Sequence, residues 1–331
     1  MRWKRGLGLV LAAGLLMGMP VSAARIGDVN GDGGIDSSDA RIVLQASVGK
    51  LALSTAKTEA ADTDGSGSID SSDARLILQY SVGKLSVFPA PPIANTVRVT
   101  IPEGYSVPRI AALLEDRGVC TADAFYQAVQ TADISDYAFA ADLPDAAGRA
   151  FRLEGYLFPD TYEFYRDCSG ESALRRFLDN FDYRTAALRE QLGNRSLDEL
   201  VIFASIVQRE VGNVADMKRV ARVLQNRLEH PAEFPSLQCD ASYAYLRELA
   251  AAGITCDEGA YDTYVCRGLP VGAIANPGLA ALNAAWQPSD EAEIANCYFF
   301  AFDFKTGITY YSETYAEHEA VCREHGIGMY G

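Results

Sequence analysis

Glu210 combines a proton-transferring group with an apolar setting. Residues 196–212 read SLDELVIFASIVQREVG, and Leu200, Phe203 and Val207 fall on one face of a helix, with Glu210 at the next position of that face. Apolar surroundings and the negative end of the helix dipole both disfavour a carboxylate, so the pKa of Glu210 should rise. A carboxyl group that keeps its proton near neutral pH suits general acid catalysis. Rotation of the side chain into water at a frayed helix end is the alternative.

The sequence also marks both ends of this helix. Ser196 followed three residues later by Glu199 is the pattern of a capping box, which predicts the start. Gly212 predicts a left-handed residue at the end.

A second group of oxygen-bearing residues recurs in two loops, residues 28–39 (DVNGDGGIDSSD) and 62–73 (DTDGSGSIDSSD). In each loop, side-chain oxygens occupy positions 1, 3, 5, 9 and 12, position 7 offers a backbone carbonyl, and glycine at position 6 permits a sharp turn. The predicted ligands are Asp28, Asn30, Asp32, Gly34, Asp36, Asp39, Asp62, Asp64, Ser66, Ser68, Asp70 and Asp73. Because calcium prefers such oxygen donors, we expect two structural Ca²⁺ ions. A helix is predicted after each loop, from Ala40 and from Ala74.

Composition limits the other function classes. The chain has 331 residues and a net charge of −15, which argues against nucleic acid as a partner. The cysteines are widely spaced without a CxxC pair, and the three histidines are scattered, so neither a zinc site nor a Ser-His-Asp triad is predicted. No cofactor is expected for catalysis.

The N-terminus has the pattern of a targeting segment. A basic start is followed by an apolar run at 6–19 and by the small residues of Val-Ser-Ala at 21–23. The run is shorter than the roughly 20 residues of a membrane helix. Residues 1–23 are therefore predicted to be a signal peptide, with an uncleaved membrane anchor as the alternative. Both place the protein outside the cell or at its surface.

Changes in composition divide the rest of the chain. The expected segments are a calcium-binding module at 26–85, a proline-rich linker at 86–96, a small subdomain at 97–150 and an α+β domain at 151–331. In the last domain, residues 297–304 predict a buried strand that pairs with residues 309–311.

The duplicated loop-then-helix pattern of residues 26–85 resembles a dockerin module. The resemblance implies a small all-helical fold around two calcium ions and a cohesin domain on a scaffold protein as partner. The positions that commonly contact cohesin are Ser37, Ser38, Ser71 and Ser72 here. Since both copies read Ser-Ser, two docking orientations related by a half turn are implied. A calcium-stabilised spacer without a partner is the alternative.

Residues 97–150 begin with an alternating strand at 97–101 and continue with helices near 106–117 and 122–129. This βαα arrangement resembles a LysM-like subdomain.

The remaining motifs together resemble the YceG-like family of endolytic murein transglycosylases. The segments are EGYLFPDTY at 154–162, ASIVQRE at 204–210, NRL at 226–228, LQCD at 237–240, YDTY at 261–264, GLPVGAIANPG at 268–278 and the spaced residues S-T-EH at 312–318. On its own, the aromatic turn at 154–162 predicts either a corner of the core or a wall of a sugar site, with the core favoured.

The resemblance implies that Glu210 is the acid/base and that the enzyme cleaves the bond between N-acetylmuramic acid and N-acetylglucosamine, leaving a 1,6-anhydromuramyl end. We select Gln238, Asp240, Tyr264 and Asn276 as residues that hold the glycan.

Two departures from the family pattern bear on this prediction. Gln208 stands where an acidic residue is common, and Thr309 where histidine is usual. Two alternatives also stay open: a hydrolase with Asp240 as second carboxylate, and a cell-surface adaptor that binds glycan without cleaving it.

Overall fold

The computed structural model describes residues 25–65, 69–89, 96–144 and 147–328. The predicted signal peptide, the predicted calcium ligands Ser66 and Ser68, and most of the predicted linker lie outside these residues. The chain divides into two compact units, Met1–Asn95 and Thr96–Gly331. Within the described residues, no helix has the length and apolar character needed to cross a membrane.

The N-terminal unit contains α1 (Ser37–Ser47), α2 (Thr55–Ala61) and α3 (Ser71–Ser81). Both α1 and α3 begin three residues earlier than predicted, because Asp36 and Asp70 act as N-caps in complete capping boxes. Helices α1 and α3 pack against each other around Val43 and Ile77, which are fully buried.

The C-terminal unit opens with β1 (Thr96–Thr100), α4 (Val107–Asp116), α5 (Ala122–Thr131) and a 3-10 helix (Ala138–Asp142), followed by β2 (Thr161–Tyr165). Strands β1 and β2 form an antiparallel sheet in which Val99 lies opposite Tyr162. The small subdomain predicted at 97–150 therefore completes its sheet with a strand from beyond residue 150.

The helices that follow are α6 (Gly170–Leu192), α7 (Leu197–Glu210), α8 (Val214–Glu229), α9 (Ala241–Ala251), α10 (Glu258–Tyr261) and α11 (Leu279–Trp286). Helix α7 packs against both α8 and α11, and every residue from Leu200 to Val207 is buried. A helix that is apolar around its whole circumference belongs in a core, which holds α7 firmly in place. The sequence analysis did not predict α6.

The unit ends with β3 (Phe299–Asp303), β4 (Ile308–Ser312) and α12 (Tyr315–His325). The predicted pairing is confirmed, with Phe300 opposite Tyr311. Strand β3 is half-buried, whereas the sequence predicted a buried strand, because the two-stranded hairpin leaves one face open. Phe304, just beyond the end of β3, is 91% exposed. The described residues thus form a mixed fold of helices and two small antiparallel sheets, in agreement with the predicted α+β class.

The end of α7 differs from its prediction. The helix stops at Glu210 and its C-cap, Val211, is extended, with φ −131° and ψ 122°. Gly212 has no positive φ. A left-handed residue is not needed there because Val211 turns its side chain into the core and Asn213 caps α8 immediately.

Candidate active site

Glu210 is the last residue of α7, and its carboxyl group meets the start of α9. The backbone N–H of Ala241 donates to Glu210 Oε1 at 3.2 Å. Two fixed elements set the position of this carboxyl group, since α7 is embedded in the core and α9 begins directly after Asp240. The side chain is partly exposed, so it remains reachable from solvent.

The surroundings of Glu210 raise its pKa to about 7. Burial is the largest cause, and the negative charge of Asp240 acts in the same direction. The hydrogen bond from Ala241 and the positive charges of Arg227 and Arg209 oppose the shift but are weaker. The carboxyl group therefore carries a proton for a substantial part of the time at neutral pH, as a general acid requires.

Two cavities meet at Glu210. The larger has a volume of about 380 Å³ and is lined by Glu210, Asp240, the β3 strand and the end of α12. The smaller, about 170 Å³, is lined by Glu210, Arg227, Gln238 and residues of β3 and α12. Phe300 and His318 border both. Together they offer space for a ligand on either side of a single carboxyl group.

Three of the four residues selected for glycan binding lie near Glu210. Gln238 and Asp240 are exposed and border the smaller and the larger cavity, respectively. The Tyr264 hydroxyl donates a hydrogen bond to Asp240 Oδ1 at 2.8 Å, which fixes that carboxylate. Gln238 adopts a positive φ of 55°, a strained conformation for a residue with a Cβ.

Asn276 has a different place from the one expected. It is 0% exposed. Its Oδ1 accepts from the backbone N–H groups of Gly155 and Leu157 at 2.9 and 2.8 Å. Its Nδ2 donates to the Tyr105 carbonyl and to Glu154 Oε1 at 2.9 and 2.8 Å. With its polar atoms satisfied inside the core, Asn276 supports the loop and leaves no group for a glycan.

The aromatic turn at 154–162 belongs to the core, as the sequence favoured. Glu154 is 2% exposed, and both of its oxygens accept from the N–H of Val107 at 3.0 Å. Burial raises the pKa of Glu154 to about 8. This carboxyl group closes the start of α4 and lies away from solvent, so it has a structural role.

His318 and Arg227 are candidate site residues that the sequence analysis did not select. His318 borders both cavities, and its buried Nδ1 has no partner among the described residues. Burial lowers its pKa, so the ring is neutral at neutral pH. Arg227 is 8% exposed and donates to the Tyr298 and Leu237 carbonyls, which ties α8 to β3 and to the segment holding Gln238. Arg227 lies in the NRL motif and His318 in the EH motif. These motifs were the sequence signal that could have identified both residues.

The two departures from the family pattern have structural partners. Gln208 Oε1 accepts from the Gly278 N–H at 3.0 Å, so it holds the start of α11. Thr309 on β4 donates to Asp216 Oδ2 at 2.7 Å, which links the hairpin to the first turn of α8.

In the N-terminal unit, the second loop brings Asp62, Asp64 and Asp73 together, with carboxylate oxygens within 4.8 Å of one another. Such a cluster of hard oxygen donors fits calcium. The position-12 residues Asp39 and Asp73 are fully buried and make equivalent bonds: Asp39 accepts from Val29 and Asp36 N–H groups, and Asp73 from Thr63 and Asp70.

In the first loop, Asp28 accepts from the N–H groups of Gly31 and Gly33, Asn30 Nδ2 donates to Asp32, and Gly34 donates to Asp32. Asp36 and Asp70 cap the helices that follow the loops. At positions 9 and 12 the two loops thus repeat one hydrogen-bonding scheme, as their shared sequence predicts.

Comparison with known proteins gives consistent matches to these two units. The model of the dockerin type I domain matches residues 26–80, and the model of the YceG-like family matches residues 80–324. An endolytic murein transglycosylase of Streptococcus pneumoniae serotype 2 is 29% identical over 260 residues, which cover 72% of this chain and 46% of that protein. One from Bacillus subtilis is 30% identical over 178 residues, 50% of this chain and 46% of that protein.

The chain therefore spans about half the length of these curated relatives. Among solved structures, a putative yceG-like protein from Listeria monocytogenes superposes with a TM-score of 0.57 at 26% identity, covering 75% of this chain and 81% of that one. The family match extends over most of the chain and includes Glu210 and most of the residues that line the two cavities. The protein belongs to the YceG-like family and carries a dockerin type I domain in front of its family domain.

Proposed function

We propose that this protein is an endolytic lytic transglycosylase of peptidoglycan in which Glu210 is the acid and base. The observation that carries the proposal is one carboxyl group with its pKa raised to about 7, placed where two cavities meet. The names of the relatives, endolytic murein transglycosylases, indicate the same substrate.

A lytic transglycosylase can work with one carboxyl group because no water molecule has to be activated. Protonated Glu210 donates its proton to the oxygen that links N-acetylmuramic acid to N-acetylglucosamine. As that bond breaks, positive charge develops at the anomeric carbon. The Glu210 carboxylate then takes the proton of the sugar's own C6 hydroxyl, whose oxygen closes on C1 as the 1,6-anhydro ring forms. Glycosidases, in contrast, use two carboxyl groups.

Neighbouring residues have supporting roles in this proposal. Gln238 and Asp240 contact the glycan from the two cavities, and Tyr264 keeps Asp240 in place. His318, whose neutral ring borders both cavities, contacts the sugar beside Glu210.

The test is mass spectrometry of glycan strands after incubation with the full chain and with Glu210→Gln. We expect 1,6-anhydromuramyl ends from the native protein and a loss of at least about a thousandfold in the variant, which cannot supply the proton. Glu199→Gln, on the same helix but in its first turn, is the matched control and should cleave normally. Undiminished cleavage by Glu210→Gln would refute the assignment.

A hydrolase is the second candidate, because Asp240 borders the same cavity as Glu210. Two carboxyl groups across a glycosidic bond could activate water and leave a reducing end. The same mass spectra separate the two reactions. Reducing ends that disappear in Asp240→Asn would favour the hydrolase, and binding without any cleavage would favour the glycan-binding adaptor.

For the N-terminal unit we propose a calcium-dependent attachment to a cohesin domain. Ser37, Leu44 and Val48 share one face of α1 and its C-cap, and Ser71, Leu78 and Val82 form the equivalent face of α3. The four aliphatic side chains are 42–67% exposed, which is unusual for such residues in a small module. Ser38 and Ser72 flank these faces.

Equivalent faces on both helices support two docking orientations. Titration of a cohesin should show binding that survives Val48→Asp or Val82→Asp alone and is lost in the double variant. If one single variant abolished cohesin binding, the dockerin would dock in only one orientation. A dockerin and a wall-directed enzyme on one chain support a location outside the cell or at its surface.

A further inference from the structure

A cationic cleft lies at the end of α7 opposite to Glu210, among residues that the proposed reaction does not use. Its volume is about 550 Å³, and Arg195, Lys218, Arg222, Trp286, Asp290 and Glu291 are among the residues that line it. Arg195 comes just before the N-cap of α7, whereas Glu210 is the last residue of this 14-residue helix. At 1.5 Å per residue, the backbone of Arg195 is therefore about 21 Å from that of Glu210 along the helix.

The three cations of the cleft have no carboxylate partner in the part of the chain that the structure describes. Among the described residues, neither Arg195 nor Lys218 nor Arg222 takes part in a salt bridge. Arg195 donates to the Trp286 carbonyl and lies over the Trp286 ring at 4.4 Å, and Arg222 donates to the Ser289 carbonyl at 2.7 Å. These contacts fix the guanidinium groups without neutralising them. Such a concentration of positive charge is notable in a chain with a net charge of −15.

The acidic residues of the cleft leave this excess in place. Glu291 pairs with Arg219 at 2.6 Å. Asp290 is exposed and makes no salt bridge with a described residue. The cleft therefore presents several donors and cations for anionic groups, and one carboxylate for a cation.

We infer that the cationic cleft binds the peptide side chains of peptidoglycan. These short peptides carry more than one carboxylate and, in many walls, a free side-chain amine. Arg195, Lys218 and Arg222 would hold the carboxylates, and Asp290 the amine. The volume lies within the roughly 300–1,000 Å³ of small-ligand sites. The inference rests on the proposed function in taking murein as the substrate, and it adds a peptide subsite remote from the scissile bond.

The test is a fluorescence titration of the full chain carrying Trp3→Phe. The sequence has two tryptophans, so this change leaves Trp286 as the only one. The probe is a synthetic wall tetrapeptide with free carboxylates and a free amine. We expect a saturable change in Trp286 emission, with binding about tenfold weaker in Lys218→Gln and in Arg222→Gln, since each loses a charged hydrogen bond.

Two controls make the result specific. Arg247→Gln removes an exposed cation that borders a different cleft, so it should bind the peptide as the native chain does. A peptide with its carboxylates converted to amides should bind at least about tenfold more weakly. Circular dichroism verifies that the variants fold; Lys218 is exposed, so its replacement should leave the structure unchanged.

Four outcomes would overturn the inference: no saturable signal together with no heat of binding by calorimetry, equal binding of the amidated peptide, an equal loss in Arg247→Gln, or preference for a phosphodiester polymer over the peptide. The titration needs no turnover, so it is independent of the cleavage test. Peptide binding without anhydromuramyl products would refute only the proposed function, and those products without peptide binding would refute only the peptide subsite.

Discussion

At the scale of single residues, the environment of Glu210 combines two helix ends. Its own helix ends there, and the dipole of α7 disfavours a negative charge. The N–H of Ala241, at the beginning of α9, favours that charge through a hydrogen bond. The effect of burial on the pKa exceeds that of this hydrogen bond, so the pKa still rises to about 7. A carboxyl group balanced in this way can release a proton and then accept one.

This balance predicts the pH dependence of cleavage. The acid form of Glu210 is lost as the pH rises through about 7, so kcat/KM should fall by about tenfold per pH unit above that value. The measurement is a pH profile of kcat/KM on soluble glycan strands between pH 5 and 9. Asp240→Asn removes a charge that raises the pKa of Glu210, so its profile should fall from a lower pH. A rate that stays constant to pH 9 would contradict this view of Glu210.

Burial gives Asn276 a structural role in place of the glycan-binding role that the sequence predicted. Asn276→Ala leaves two buried N–H groups, those of Gly155 and Leu157, without acceptors. We expect the free energy of unfolding to drop by about 2–4 kcal/mol, measured by denaturant titration. Asn283→Ala, at an exposed position of α11, should change stability by less than about 0.5 kcal/mol. If Asn276→Ala instead raised KM at unchanged stability, the original glycan-binding prediction would be correct.

At the scale of elements, the site depends on how closely α7 approaches the turn that carries Gly155. This glycine has a φ of +95°, and a Cβ there would lie 2.5 Å from Val201 Cγ1 on α7 and 2.8 Å from Ala273 Cβ. The EGY motif, helix α7 and the GAIANPG motif therefore meet at one point in the core. Their joint contribution is to fix the helix that ends in Glu210.

Gly155→Ala tests this contact. It adds both backbone strain and steric overlap, so we expect a loss of about 2–4 kcal/mol in the free energy of unfolding. Gly253→Ala is the matched control, because Gly253 has a φ of +72° but no atom within 4 Å of the added carbon. Its cost should be about 1 kcal/mol, from strain alone. Similar losses in the two variants would mean that close packing at Gly155 contributes little.

The β3–β4 hairpin and α12 close the site from the other side. They bring Phe300 and His318 to the cavities at Glu210, and Arg227 joins the hairpin to α8. Thr309, in place of the usual histidine, contributes instead to the junction with α8 through Asp216. The departure therefore affects how the hairpin is attached.

At the scale of the whole molecule, the two units differ in what stabilises them. Among the described residues of the N-terminal unit, the buried core consists of Val29, Ala40, Val43, Ala60, Ala61, Ala74 and Ile77, and four of these are alanines. So small a core rarely stabilises a domain without a metal or a disulfide. The core of the C-terminal unit is far larger and contains many fully buried aromatic residues.

Removal of calcium should therefore affect one unit only. In scanning calorimetry of the full chain, we expect a chelator to abolish the transition of the N-terminal unit and to leave that of the C-terminal unit within about 2 °C. Asp73→Asn should reproduce the effect of the chelator, whereas Asp116→Asn, an exposed carboxylate of the other unit, should not. An unchanged first transition in the chelator would show that metal does not stabilise this unit.

The sequence by itself determined the local features: the calcium-loop spacing, the helix that carries Glu210, the β-hairpin near the C-terminus and the family resemblance. These follow from periodicity and from short motifs, which depend on neighbouring residues along the chain. Tertiary structure decided the rest. It buried Asn276, brought His318 and Arg227 to Glu210, paired β1 with a strand beyond residue 150, and assembled the cationic cleft from three separate segments. Burial and charge depend on residues distant in sequence, and these are set only when the chain packs.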